Sequence, residues 1–223
     1  MNAAVVAPLL LSLQVAASAT LLALVAGIAC ARALGRRQGW LRDIAESLLT
    51  LPLVLPPTVL GYYLLVLLGK QGAIGTWLHE RLGIELIFTW QAAVIAAAVA
   101  AFPLILRAAS AAFADVDVQL EQAARSLGES ETRVFLRVSL PLAWRGVLAG
   151  ALLAFARAMG EFGATLMVAG SLPGRTQTLS IAIYNAVMAG NDDDARTMVM
   201  VSLIASVGIL VIAARVLGRR QVR

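Results

Sequence analysis

The stretch Leu120–Pro141, LEQAARSLGESETRVFLRVSLP, is a charged block of helical pattern inside a chain that is 60% hydrophobic and only 14% charged. What it does depends on what surrounds it. The apolar residues on either side come in long blocks, as a bilayer demands: a helix needs roughly 20 of them to cross the hydrocarbon, where backbone groups find no water. Charge-free runs cover Met1–Ala31, Ser47–Gly69, Leu86–Leu106 and Thr197–Ala214, and a fifth apolar stretch, about Leu142–Ala169, is interrupted by Arg157 and Glu161. The expected architecture is all-α: a polytopic membrane protein of five spans forming one transmembrane domain over residues 1–223.

Two segments are ambiguous. Met1–Ala31 lacks a basic residue ahead of its apolar run and is too long for a signal-peptide core, so it reads as a span. Thr176–Asn191 is uncharged but short and carries Gln177, Tyr184 and Asn185. It reads as an interfacial or partly re-entrant helix.

Charge asymmetry sets the expected orientation. With the N-terminus outside, the inner segments hold Arg32, Arg36, Arg37, Arg42, Arg107, Arg125, Arg133, Arg137, Arg145, Arg215, Arg219, Arg220 and Arg223. The outer ones hold Lys70, Arg81, Arg175 and Arg196. That bias obeys the positive-inside rule and places Leu120–Pro141 in the cytoplasm. The net charge of +5 then reports orientation and anionic lipid, with no need for nucleic acid. One Cys and one His exclude a disulfide framework or a Cys/His metal cluster within one chain. There is no phosphate-loop motif and no catalytic constellation, so neither an enzyme nor a metal site is expected.

Within the charged block, Val116, Leu120, Ala123 and Leu127 fall on one helical stripe. Gly128 sits where a helix end favours a left-handed residue, Ser130 is placed to cap a second short helix through Val138, and Pro141 marks the start of the next membrane segment. The block, about 115–141, is thus a helix–turn–helix bracket. It either rests on the bilayer or docks a partner.

Glu121-Gln122-Ala123-Ala124, then Gly128, then Leu140-Pro141, resembles the loop by which permease subunits of binding-protein-dependent ABC importers couple to their ATPase. The resemblance implies a type I importer permease fold with a coupling helix pair, and docking through Glu121, Ala123, Ala124, Arg125, Leu127 and Gly128. Gln122 stands where the family often has alanine. The stretches LPLVLPPTVLGYYLL (Leu51–Leu65), DVDVQLEQAARSLG (Asp115–Gly128), LAFARAMGEFGAT (Leu153–Thr165) and PGRTQTLSIAIY (Pro173–Tyr184) are similar to the molybdate branch of that family. Sulfate, thiosulfate and tungstate permeases have related arrangements. The likeness implies a multi-pass protein of the bacterial inner membrane working as a homodimer, with two ATPase subunits, a periplasmic binding protein and an oxyanion cargo. It implies no cofactor on this chain, with ATP and Mg²⁺ used by the ATPase.

Candidate path residues lie at two irregular places. Pro52, Pro56, Pro57 and Gly61 predict a kink or break in the second span, where Thr58 offers a hydroxyl to an anion. Tyr62 and Tyr63 suit either the path or an interfacial anchor. Arg157 and Glu161 fall four apart, and a charge at the bilayer centre costs about 2.5–3.5 kcal/mol, so both must face protein or water. They read as a structural ion pair or as a path or gate element, and the sequence leaves both open. Gly160 and Gly163 permit close approach or a hinge, Gly146 and Gly150 a helix contact within or between chains. Asp192-Asp193-Asp194 suits a helix N-terminus, with Asn191 or Asp192 as its cap. A membrane-anchored scaffold without transport remains the competing reading.

Overall fold

The computed structural model describes residues 3–35 and 39–218; Arg36, Arg37, Arg219, Arg220 and Arg223, used above for orientation, lie outside them. The described residues form helices and connecting turns. They are α1 (Ala3–Gly35), α2 (Trp40–Thr50), α3 (Pro57–Leu68), α4 (Ala73–Leu82), α5 (Trp90–Ala114), α6 (Val118–Ser126), α7 (Glu131–Val134), α8 (Leu140–Met159), α9 (Gly163–Ala169), α10 (Leu179–Met188) and α11 (Asp192–Gly218). Among the described residues four rods are long and apolar enough to cross a bilayer, and the bent pair Trp40–Leu53 with Pro57–Leu82 makes up to five.

Helix α5 is the axis of the bundle. Thr89 caps it, its side chain accepting from the Ala92 amide at 3.3 Å. Its buried face is mostly alanine, with Ala92, Ala93, Ala96, Ala97, Ala100 and Ala101 in one core cluster with Ala16, Ala19 and Ala23 of α1. Apolar burial gains little when lipid is the alternative solvent, so small side chains that let backbones approach supply the packing. The Gly146/Gly150 pattern works the same way: a Cβ on Gly146 would stand 2.5 Å from Ala112 Cβ, and one on Gly150 2.5 Å from Ala108 Cβ. Both glycines therefore seat α8 against α5 of the same chain.

One expectation holds in a sharper form and three change. The second span is interrupted as anticipated, but sharply: after a short 3-10 turn at Leu51–Leu53 the chain turns by 105° into α3. Pro56 and Pro57 cause this, since α3 begins at Pro57, where a missing amide costs nothing. The second coupling helix is not separate. Glu131–Met159 is one rod of 29 residues, because a π-helical turn at Phe135–Ser139 absorbs Pro141 instead of ending the helix there. Ser130 occupies the position before α7 but makes no side-chain cap. Finally, the apolar stretch at about Leu142–Ala169 is not one helix; it stops at Met159 and restarts as α9 at Gly163.

Helix α10 has ten residues, about 15 Å by helical rise and half a bilayer's thickness. It lies buried against α1 and α11 through Leu179 and Ala182, matching the short element expected at Thr176–Asn191. At the start of α11, the Asn191 side-chain Nδ2 donates to Asp194 Oδ2 at 2.7 Å, and the acids fill the first turn, where the helix dipole favours them.

Candidate functional site

The two helix breaks meet. A Cβ placed on Gly163 would lie 2.8 Å from Pro57 Cβ and 3.6 Å from the Thr58 nitrogen, and one on Gly61 would lie 2.7 Å from Met167 Cβ. Half-helices α3 and α9 therefore cross with no room for a side chain between them. The requirement for glycine is steric here, since neither glycine has a positive φ.

At this crossing Glu161 is 2% exposed and Arg157 34% exposed, with Arg157 Nη1 donating to Glu161 Oε2 at 2.6 Å. The pair forms, though not along one helix face. Glu161 stands in the break between α8 and α9, and its Oε1 accepts from the Ala164 amide at 2.9 Å. One carboxylate thus neutralises a cation that must not meet lipid and satisfies an amide freed by the break. Ser180 of α10 donates to the Glu161 carbonyl at 2.9 Å, and the rings of Phe162 and Tyr184 lie 5.2 Å apart. Farther along, Asn185 donates to Ser171 at 2.7 Å, and Ser12 of α1 accepts from the Leu179 amide at 2.7 Å. Helix α10 therefore staples the break in place. Pro56, Pro57 and Thr58 are exposed on the near side, and so are Tyr62 and Tyr63, stacked edge to face at 5.8 Å. The structure brings Pro57, Thr58, Gly163 and the Arg157–Glu161 pair together. Sequence reading missed Ser12, Phe162 and Ser180, whose roles depend on partners remote along the chain.

The second group is the bracket. Gly128 has φ 83°, the Gly128 amide donates to the Arg125 carbonyl and the Glu129 amide to that of Ala124, which is the double closure of a Schellman turn. Glu121 points inward: its Oε1 accepts from Ser139 at 2.6 Å and its Oε2 from Arg125 at 3.1 Å. Arg125 also reaches Glu131 Oε1 at 2.6 Å. The hydrogen bond to Glu131, then that to Glu121, raises the pKa of the Arg125 guanidinium. These bonds fix α6 to the base of the long rod. Arg133 and Arg137 both hold Glu129, at 3.3 and 3.2 Å. The opposite, apolar face of α6 is uncovered, with Leu120 at 49% and Leu127 at 86% exposed, while Val116 is buried. Ala123 is exposed and Ala124 half-buried.

Residues 23–223 match the family described as the binding-protein-dependent transport system inner membrane component, and the chain belongs to that family. It is 46% identical over 188 residues to a putative molybdenum transport system permease protein of Bacillus subtilis, covering 83% of this chain and 82% of that one. To the molybdenum transport system permease protein ModB of Escherichia coli K12 it is 44% identical over 204 residues, 91% and 89% of the two chains. To the ModB of Haemophilus influenzae it is 40% identical over 212 residues, 95% and 93%. Among solved structures, the inward-facing MetNI methionine ABC transporter gives a TM-score of 0.73 at 18% identity, covering 97% of this chain and 98% of the other. A bacterial ABC transporter that imports alginate gives 0.75 at 14%, covering 99% and 81%. The chain thus has the type I importer permease fold.

Proposed function

We propose that this member of the inner membrane component family is the permease subunit of an ATP-driven importer for molybdate, and that the crossing of α3 and α9 borders the route of the ion. Relatives named for molybdenum transport, 40–46% identical over most of the chain, support the choice of cargo. One observation carries the path: the Arg157–Glu161 pair, a buried carboxylate and a half-buried guanidinium set where two broken helices cross. A passive membrane anchor needs neither the breaks nor the charges.

In this reading residues 1–223 form one domain, the N-terminus faces the periplasm, and two copies enclose the path at a two-fold interface. A periplasmic binding protein delivers the ion. ATPase subunits, which use the ATP and Mg²⁺, dock on the uncovered face of α6 around Leu120, Ala123 and Leu127. Because Glu121 and Arg125 fasten α6 to the rod Glu131–Met159, a push on α6 is delivered along that rod to the break at Glu161. Glu161 also cancels the attraction of Arg157 for a dianion, which suits a path the ion crosses without lodging.

Uptake of radiolabelled molybdate into proteoliposomes containing the permease, its ATPase and the binding protein tests this. ATP-dependent accumulation that excess sulfate does not compete away is expected. Accumulation without the ATPase, or none of molybdate and full transport of sulfate, contradicts it.

A further inference from the structure

A cavity of about 460 Å³ opens between the ends of α1 and α5, the start of α2 and the bracket α6–α7. Its lining includes three guanidinium groups, Arg32, Arg42 and Arg125, and two carboxylates, Glu121 and Glu131. Within that lining both carboxylates hold Arg125, and Glu121 also takes Ser139. Arg32 donates to the backbone carbonyl of Glu131 at 3.0 Å and stacks 4.2 Å above the Phe135 ring. Neither contact neutralises its charge. Arg42 keeps its Nε buried with no hydrogen-bond partner among the described residues. Arg42 forms no ion pair among the described residues, so its charge and that of Arg32 are left without a carboxylate partner beside the cavity.

We infer that this cavity is a second anion site, one that takes a tetrahedral oxyanion or a phosphate ester between Arg32 and Arg42. Planar guanidinium forks match such oxygens, and excess positive charge among the lining residues favours them. Glu121 and Arg125 line the cavity and also fasten α6, so an occupant touches the bracket's attachment to the bundle. The same chemistry has two sources: the headgroup of an anionic phospholipid, reached beside the apolar ends of α1 and α5, or a free oxyanion from solution. The inference does not rest on the transport reading, because binding is measured on this chain without ATPase or binding protein.

The test uses the full-length chain purified in a neutral detergent. Phosphatidylglycerol, with phosphatidylcholine as control, is titrated and counted by native mass spectrometry. Radiolabelled molybdate and inorganic phosphate are titrated by equilibrium dialysis. Saturable binding of one equivalent from either source is expected; lipid binding assigns a headgroup site, free-ion binding a soluble-anion site. Arg42→Gln should weaken it at least tenfold, Arg42→Lys less, and Arg175→Gln, in the loop before α10, not at all. Arg32→Gln serves as the independent variant should Arg42→Gln fail to elute as a folded monodisperse protein. No saturable binding from either source, or wild-type affinity in the folded Arg32 and Arg42 variants, overturns the inference.

Discussion

Removing Arg157 and Glu161 together should cost well under the sum of the two single removals. Arg157→Leu leaves a carboxylate that is 2% exposed with no cation and one remaining amide donor. Breaking a buried pair costs about 3–5 kcal/mol, and because Arg157 itself is 34% exposed, solvent screening brings the expected loss to about 3 kcal/mol. Glu161→Gln keeps an oxygen for Ala164 but turns an amide NH₂ toward a guanidinium, two donors facing each other, for about 2 kcal/mol. The double variant faces an apolar side chain with one unmet amide donor and should lose about 2 kcal/mol, well short of the additive value. The coupling of about 3 kcal/mol is measurable by unfolding in mixed micelles, followed through the fluorescence of the four tryptophans. Additivity within about 0.5 kcal/mol would mean the two residues act independently, and the account of the break as a neutralised, amide-capping pair would be wrong.

Gly150→Leu drives a side chain into Ala108, 2.5 Å from where its Cβ must stand, and should lower the melting temperature through a loss of about 1–3 kcal/mol. Gly128→Val is expected to insert normally, since no atom lies within 4 Å of the added Cβ. Its strain at φ 83°, at least about 1–2 kcal/mol for a side-chain-bearing residue, should distort the bracket so that reconstituted complexes hydrolyse ATP without matching uptake; normal coupling would deny the bracket its role. Leu127→Asp changes a side chain that is 86% exposed, so stability should hold while co-purification with the ATPase falls roughly tenfold or more, the scale of a docking hot spot.

Long apolar runs revealed the membrane rods because a bilayer tolerates little else, and Pro56-Pro57 announced the first break because proline lacks an amide. Pro141 does stand in the first turn of α8, where a missing amide is tolerated, but a π-helical turn joins that helix to the one before it, and nothing local in Phe135–Ser139 says so. The second break was half legible. Gly160 and Gly163 marked a place of close approach, yet that Gly163 meets Pro57 depends on two segments more than a hundred residues apart in sequence. The staples from Ser180 and Ser12 were hidden on the same ground, since an isolated serine in an apolar helix names no partner. Glu121 was legible as part of the bracket, but its inward turn to Ser139 became visible only once α6 and the long rod were set side by side.

Whether the α3–α9 crossing borders the route of an ion is tested most directly by labelling Thr58→Cys in a Cys30→Ser background, which removes the chain's single cysteine. In the assembled complex, a membrane-impermeant, water-soluble thiol reagent should modify position 58 at a rate that changes severalfold between the nucleotide-free and ATP-bound states, and molybdate should slow it. A thiol that stays unreactive in every state would place the crossing in lipid or protein rather than beside the path.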